Sequence, residues 1–274
     1  MSKIAARFKK AFSTLVCPNW TVSAIVDGAK AYGYEGVELV VGENHGHGIE
    51  LDKTEDVYAD MRQKFDAGNL ALACIGTPCE FASPEPSERE EMLALAKRYL
   101  QLADRLGCPY IRVQGGIFPI DMEPVGVIDY IADTLSELTE YAEDNFATTI
   151  LVQTNQGLSN SRFTRELIKQ VYSDKLKVVW DIANCTRVLE SEAASFDNLS
   201  EHIRMVYVQD FDYSDDRADI LVADPGAGFV DMPKAISYLK RELFHGFLTV
   251  NVLENDPDAD RIMKTYSEYL NTLL

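Results

Sequence analysis

Short runs of apolar, β-branched residues alternate with amphipathic segments along the whole chain. Almost every position within a run is apolar, which is typical of strands that are covered on both faces. Strands that alternate with helical segments predict a parallel sheet with crossover helices. The eight predicted strands are Ala11–Val16, Gly36–Val41, Ala71–Gly76, Tyr110–Gln114, Thr148–Thr154, Lys177–Ile182, Met205–Gln209 and Phe247–Leu253.

Between these runs, apolar residues recur every three or four positions, which predicts helices. Two of the helices have clear ends: Ser23–Tyr32 precedes Gly33, and Glu88–Leu106 precedes Gly107. Glycine is the preferred residue just beyond a helix, where the backbone turns left-handed. The other predicted helices are Thr54–Ala67, Val125–Asn145, Thr164–Ser173, Ser191–His202, Met232–Leu243 and Asp258–Leu273.

Eight such units could form either a closed barrel or an open sheet. The count of eight and the length of 274 residues favour a closed (β/α)8 TIM barrel, which typically has about 250 residues. The sequence contains neither GxGxxG nor GxxxxGK[ST], the phosphate-binding patterns of open sheets. No linker or shift in composition divides the chain, so we predict one domain over residues 1–274.

The net charge restricts which partners the protein can bind, and the cysteines indicate its cellular compartment. A net charge of −18 repels phosphate backbones and anionic lipid, so we predict neither nucleic acid nor a membrane as partner. The basic, then apolar N-terminus could be a targeting segment, but its short apolar part without a cleavage site favours a first strand. The five irregularly spaced cysteines indicate buried, reduced thiols and a cytoplasmic location.

In a closed barrel of this type, function lies at the carboxyl ends of the strands. This rule selects a set of polar residues that is rich in amides. Many neutral hydrogen-bonding groups suit a polyhydroxylated small molecule. Among the residues that the rule selects, those predicted to be catalytic or to bind the ligand are Glu38, Arg112, Gln153, Asn155, Asp181, Asn184, Tyr207, Gln209, Asn251 and Glu254.

Several of these residues lie in segments that carry a family resemblance in order along the chain. With these segments, the chain resembles the sugar phosphate isomerase/epimerase family, which has the xylose isomerase-like barrel. The resemblance implies a TIM barrel that acts on a sugar. The segments are Gly33–Leu39, Arg112–Gly116, Trp180–Asn184, Val206–Asp210, Pro225–Gly228 and His245–Asn251.

The resemblance also implies a divalent metal held by Glu, Asp, His and Glu on strands five to eight. Only the acid of strand six is kept, as Asp181; the other three positions hold Gln153, Tyr207 and Asn251. A second histidine, three residues after the acid, is replaced by Asn184. Neutral amides do not balance a dication and cannot accept a proton from substrate. We therefore predict no metal and no other cofactor.

Two hypotheses remain for the function. The first is an isomerase- or epimerase-like enzyme that works without the usual metal, with Asp181, Glu38 or Glu254 as acid or base. The second is a non-catalytic barrel that binds a sugar-like metabolite as a sensor. An endonuclease on the same fold is excluded by the charge and the missing ligands. A homo-oligomer is implied by the resemblance alone.

Some polar residues have a structural interpretation beside the functional one. Glu38 and Arg112 could act on a ligand or form a salt bridge inside the barrel. His45 and His47 could bind a metal, but a solvated mobile loop is favoured. The acidic run of residues 210–216 could recruit a cation, and here too a solvated loop is favoured.

Overall fold

The computed structural model describes residues 6–216, 219–252 and 258–274. Eight parallel strands close into a barrel, which confirms the predicted (β/α)8 fold. Around the barrel they are β1 (Arg7–Ser13), β2 (Gly36–Val40), β3 (Ala71–Glu80), β4 (Tyr110–Gln114), β5 (Thr149–Gln153), β6 (Leu176–Asp181), β7 (Ile203–Val208) and β10 (His245–Val250).

Helices surround the barrel and connect successive strands. Within the described ranges, no helix combines the length and the apolar character needed to cross a bilayer. The helices are α1 (Val22–Tyr32), α2 (Glu55–Gly68), α3 (Pro86–Leu106), α4 (Pro124–Asn145), α5 (Ser161–Val171), α6 (Ile182–Arg187), α7 (Glu192–Leu199), α8 (Met232–Arg241) and α9 (Ala259–Leu273).

The first predicted strand was placed several residues too late. The strand begins at Arg7, and residues 14–16 form a 3-10 turn instead of continuing it. Ser13 Oγ accepts a hydrogen bond from the Leu15 amide at 3.4 Å, which caps this turn. The apolar run continues through the turn because its residues pack into the core, so hydrophobicity alone does not mark where the strand ends.

The prediction of a solvated loop over residues 210–216 is wrong for residues 210–213, whereas residues 214–216 do form a turn. Here β8 (Asp210–Tyr213) pairs antiparallel with β9 (Ile220–Ala223). The buried Asp210 carboxylate accepts the backbone N–H groups of Gly226, Gly228 and Val230 at 2.9 to 3.0 Å. A Cβ on Gly228 would lie 2.4 Å from Asp210 Oδ1, so only glycine permits this approach. The Asp-Phe-Asp-Tyr alternation of β8 was the available strand signal.

The prediction of a solvated mobile loop at His45 and His47 is also wrong, because both side chains are buried. His47 Nε2 lies 2.9 Å from the Val40 carbonyl, and His47 Nδ1 accepts the Ile49 amide at 3.0 Å. Burial lowers the pKa of His47 to about 4. The neutral ring thus connects the end of β2 to the following loop.

The core has two parts. One lies between the barrel and the helices and contains most of the buried apolar side chains. The other fills the barrel interior with five side chains that are at most 1% exposed. Since the interior is packed, only the mouth of the barrel can admit a ligand. The five residues are Cys74, Leu151, Val179, Met205 and Tyr207. All five cysteines are buried and free, as predicted.

Candidate functional site

A cavity of about 490 Å³ opens at the carboxyl ends of the barrel strands. The structure brings seven of the ten predicted site residues together in its lining. They come from β4, β5, β6 and the segments that follow β5, β6, β7 and β10, so the parallel barrel accounts for their convergence. The seven are Arg112, Gln153, Asn155, Asp181, Asn184, Gln209 and Asn251.

Asp181 is fully buried at the centre of this group, where it ends β6 and caps α6. Its Oδ1 accepts the Asn184 backbone amide at 3.1 Å. Its Oδ2 accepts Gln153 Nε2 at 3.0 Å and Asn184 Nδ2 at 2.9 Å, and Gln209 Nε2 lies 3.4 Å from both oxygens. Burial raises the pKa of Asp181, while these N–H groups act in the opposite direction.

These residues do not fit a divalent metal ion. The two Asp181 oxygens already accept N–H groups from three residues, and the side chains around them are neutral amides. Across the described ranges, no cluster of three His, Cys, Asp or Glu is arranged to hold a metal. A dication needs anionic ligands to offset its desolvation. The absence of a bound metal nevertheless stays a prediction.

Glu38 and Tyr207 lie outside the cavity lining, because they are fully buried in the barrel interior. The Tyr207 hydroxyl donates to Glu38 Oε1 at 2.5 Å, and Arg112 Nε lies 3.5 Å from the same oxygen. Arg112 Nη1 also donates to the Thr77 carbonyl at 3.0 Å. Burial and the neighbouring Glu38 raise the pKa of Tyr207.

The salt bridge that the structural interpretation of Glu38 and Arg112 predicts is present inside the barrel, and Arg112 also lines the cavity. A Cβ on Gly76 would lie 2.7 Å from Arg112 Nη2 and 2.8 Å from Glu38 Oε1, so glycine at this position leaves room for the pair. Glu38 and Tyr207 do not line the cavity, so the catalytic role predicted for Glu38 and the ligand contact predicted for Tyr207 stay predictions. Glu254 lies outside the described residues.

Three buried polar atoms of the cavity residues have no hydrogen-bond partner among the described residues. Two are acceptors, Asn155 Oδ1 and Asn251 Oδ1, and one is a donor, Arg187 Nε. The Asn155 amide nitrogen is occupied, because it donates to Gln114 Oε1. Buried polar groups are normally paired, so these atoms mark where a polar ligand can bind. Unpaired acceptors favour ligand hydroxyl groups.

Sequence reasoning missed several residues of the cavity lining, among them Arg187, Ile220 and Val222. Arg187 ends α6, a helix that the sequence analysis did not predict. Ile220 and Val222 belong to β9, a strand that the sequence does not predict. The signal for Arg187 was its position six residues after Asp181, near the end of one short helical segment.

Solved structures of several proteins share this fold. D-Allulose 3-epimerase from Methylomonas sp., in complex with D-allulose, is 16% identical over 99% of each chain, with a TM-score of 0.76. The probable 3-DHS dehydratase AsbF from Bacillus anthracis is 18% identical over 96% of this chain and 98% of that chain, with a TM-score of 0.78. The IOLI protein with a bound zinc atom is 15% identical over 97% of each chain, with a TM-score of 0.80. Such low identities establish the fold alone.

The family to which the chain belongs is shown by a match over nearly its whole length. No curated protein matches the sequence. The profile of the xylose isomerase-like TIM barrels matches residues 26–272, which is nearly the whole chain. The chain therefore belongs to the xylose isomerase-like TIM-barrel family.

Proposed function

We propose that this protein binds a polyhydroxylated, sugar-like small molecule in the cavity at the barrel mouth, and that it does so without a divalent metal. The observation that carries the proposal is the environment of Asp181. Its carboxylate is surrounded by the amide groups of Gln153, Asn184 and Gln209. Amide groups that both donate and accept are suited to recognising sugar hydroxyls.

The unpaired atoms support the same ligand class. Asn155 Oδ1 and Asn251 Oδ1 can each accept a hydroxyl proton, and leaving them unpaired costs free energy that a bound hydroxyl recovers. The cavity of about 490 Å³ is large enough for a monosaccharide. Among the proteins of this fold, the Methylomonas epimerase was solved with a sugar bound.

The same geometry argues against metal-assisted proton transfer. In such a reaction a metal polarises a carbonyl, and a carboxylate moves a proton at the neighbouring carbon. At the two positions where the family resemblance implies carboxylates, Gln153 and Asn251 have no basic group at neutral pH. Ligand binding can persist there because an amide keeps the shape and hydrogen-bonding capacity of a carboxyl group.

One observation keeps an enzyme as the second candidate. Asp181 lines the cavity, and burial raises the pKa of Asp181 toward the range that suits an acid or base. A metal-free isomerase or epimerase would use this group. Glu38 does not serve as the partner, since it lies in the packed interior. The cytoplasmic location and the formation of a homo-oligomer stay predictions.

Calorimetric titration tests the proposal. The probes are D-allulose, D-fructose, D-tagatose, D-glucose and D-gluconate, each in EDTA and again with added Mn²⁺. We expect saturable binding of at least one probe, with the same affinity in both buffers, and no micromolar binding of Mn²⁺ alone. The matched variant Asn251→Leu removes one unpaired acceptor and is expected to weaken binding about tenfold.

Two results would contradict the proposal: no probe binds in either buffer, or binding requires Mn²⁺. Incubating each ligand that binds with the protein, followed by chromatography of the sugars, then separates the two candidates. Formation of an isomer or epimer in EDTA supports the metal-free enzyme. Binding without conversion supports the sensor.

A further inference from the structure

Two guanidinium groups occur in the described cavity lining, those of Arg112 and Arg187, and they differ in what they already bind. Arg112 donates to the Glu38 carboxylate and to the Thr77 carbonyl, so its charge is balanced inside the barrel. Arg187 forms no ion pair with any carboxylate in the described ranges. Its Nη1 donates to Asn184 Oδ1 at 3.1 Å, and its buried Nε has no partner there.

The Arg187 side chain is held in place by an aromatic ring. Its guanidinium lies 4.9 Å from the centroid of Phe211, which is 1% exposed. The Phe211 ring in turn stacks on Phe229, with centroids 5.8 Å apart and planes at 18°. A guanidinium fixed in this way loses little conformational entropy when it binds a ligand. Arg187 is therefore pre-organised, and its buried Nε–H is unpaired.

The charges of the lining limit which anion this group can accept. Arg112 and Arg187 contribute two positive charges, and Asp181 and Glu43 contribute two negative charges. Glu38 adds a third negative charge behind Arg112. A dianionic phosphate would bring two further negative charges into a chain whose net charge is already −18. Arg187 has no carboxylate within ion-pair distance among the described residues and interacts with the Asp181 charge only at longer range, so it can accept one carboxylate more readily than a dianion.

We propose, on the basis of the proposed function above, that the ligand is a polyhydroxylated monocarboxylate, a sugar acid. Its carboxylate binds the Arg187 guanidinium through Nε, and its hydroxyls donate to Asn155 Oδ1 and Asn251 Oδ1. This assignment uses the unpaired buried donor and both unpaired buried acceptors of the cavity. A planar guanidinium can present two N–H groups to one carboxylate, which makes such pairs strong and directional.

The test compares matched probes on the wild-type protein by calorimetric titration in EDTA. Each set contains a neutral sugar, its aldonate and its 6-phosphate: D-glucose, D-gluconate and D-glucose 6-phosphate, with the corresponding galactose and mannose sets. We expect the tightest aldonate to bind about tenfold or more tightly than the neutral and phosphorylated members of its set. The proposal is overturned if a neutral sugar or a phosphate binds as tightly as the aldonate, or if no aldonate binds.

Variants at Arg187 locate the carboxylate site. Arg187→Gln is expected to weaken aldonate binding about ten- to a hundredfold and to abolish the preference for the aldonate over the neutral sugar of its set. Arg187→Lys keeps the charge without the planar pair of donors, so an intermediate affinity is expected. Arg165→Gln makes the same change of charge at an exposed position of α5 and should bind like the wild type. Circular dichroism verifies that each variant is folded.

The outcomes distinguish this inference from the function on which it rests. If neutral sugars bind and the aldonates gain nothing, the sugar-binding function stands and the carboxylate assignment is wrong. Equal aldonate affinities of Arg187→Gln and the wild type would also refute the assignment, even if aldonates were preferred. If no probe of any set binds, both proposals fail.

Discussion

Two fully buried carboxylates on the inside of the same barrel are stabilised in different ways. Glu38 accepts a hydrogen bond from the Tyr207 hydroxyl and forms an ion pair with Arg112. Asp181 accepts N–H groups from neighbouring amides and has no ion-pair partner in the described ranges. The charge of Glu38 is balanced by a cation in direct contact, whereas the charge of Asp181 is held mainly by neutral dipoles, with Arg187 acting on it from a longer distance.

This difference indicates that the Glu38 carboxylate has a structural role, whereas the Asp181 carboxylate can contact a ligand. The Glu38 pair is enclosed by the packed interior, where a buried ion pair contributes little net stability but is costly to break. Asp181 lines the cavity, and burial raises the pKa of its carboxyl group above the ordinary value. Dipoles hold this charge without neutralising it, so it remains able to interact with a bound molecule.

Breaking the ion pair between Glu38 and Arg112 is expected to cause the largest loss in the free energy of unfolding. Glu38→Gln leaves the Arg112 guanidinium buried without its anionic partner, and the free energy of unfolding should fall by about 3–5 kcal/mol. Urea denaturation followed by circular dichroism measures this loss. The double variant Glu38→Gln/Arg112→Met removes both charges and should recover part of the stability, because no unpaired charge remains buried.

A surface pair provides the matched control for that experiment. Asp52 and Arg98 form an ion pair with side chains that are 80% and 48% exposed. Asp52→Asn should lower the free energy of unfolding by less than about 1 kcal/mol, since solvent already screens the pair. Equal losses in Asp52→Asn and Glu38→Gln would show that the barrel pair is not desolvated, and our comparison would then fail.

Altering the hydrogen bonds around Asp181 is expected to cause a smaller loss in the free energy of unfolding. Asp181→Asn keeps the shape of the side chain but places an NH₂ group among N–H groups that need acceptors. We expect a loss of about 1–3 kcal/mol in the free energy of unfolding, the cost of leaving buried donors unpaired. The loss stays below that of Glu38→Gln because no buried cation is left alone. A loss larger than that of Glu38→Gln in the same urea titration would reverse the ranking.

The sequence was sufficient to predict the barrel and most of the polar side chains that line the cavity. Eight apolar runs alternating with amphipathic segments define the strands, and the rule that ligands bind at their carboxyl ends selected residues such as Gln153, Asp181 and Asn251. Both inferences depend on periodicity and strand direction, which are local properties of the sequence.

The rest depends on contacts between residues far apart in the chain. Glu38 and Tyr207 are 169 residues apart, and nothing in either segment shows that their side chains meet below the cavity. Arg187 was missed because α6 is only six residues long, too short for a helical period to be recognised. His47 is buried through hydrogen bonds to Val40 and Ile49, whereas the glycines around it favoured a mobile loop.

The smallest expected effect is the part of the pH dependence of stability that comes from Asp181 alone. Because burial raises the pKa of Asp181 above its ordinary value of 3.8, the folded protein takes up this proton at a higher pH than the unfolded chain does. The contribution of Asp181 to stability is therefore fully present below pH 3.8 and is lost as the pH rises through the folded-state pKa. In that window, acidification should favour the wild type over Asp181→Asn.

The contribution of Asp181 is isolated by the difference in the free energy of unfolding between the wild type and Asp181→Asn, because other groups in the protein act in the opposite direction. The pKa of His47 is lowered to about 4, so its contribution is present above its ordinary value of 6.5 and is lost as the pH falls toward 4. His47 is common to both proteins and cancels in the difference. Urea titrations of both proteins between about pH 8 and pH 4 give that difference directly. If it stayed constant, or moved in favour of Asp181→Asn on acidification, the surrounding amides would outweigh burial and Asp181 would be unsuited to act as an acid or base near neutral pH.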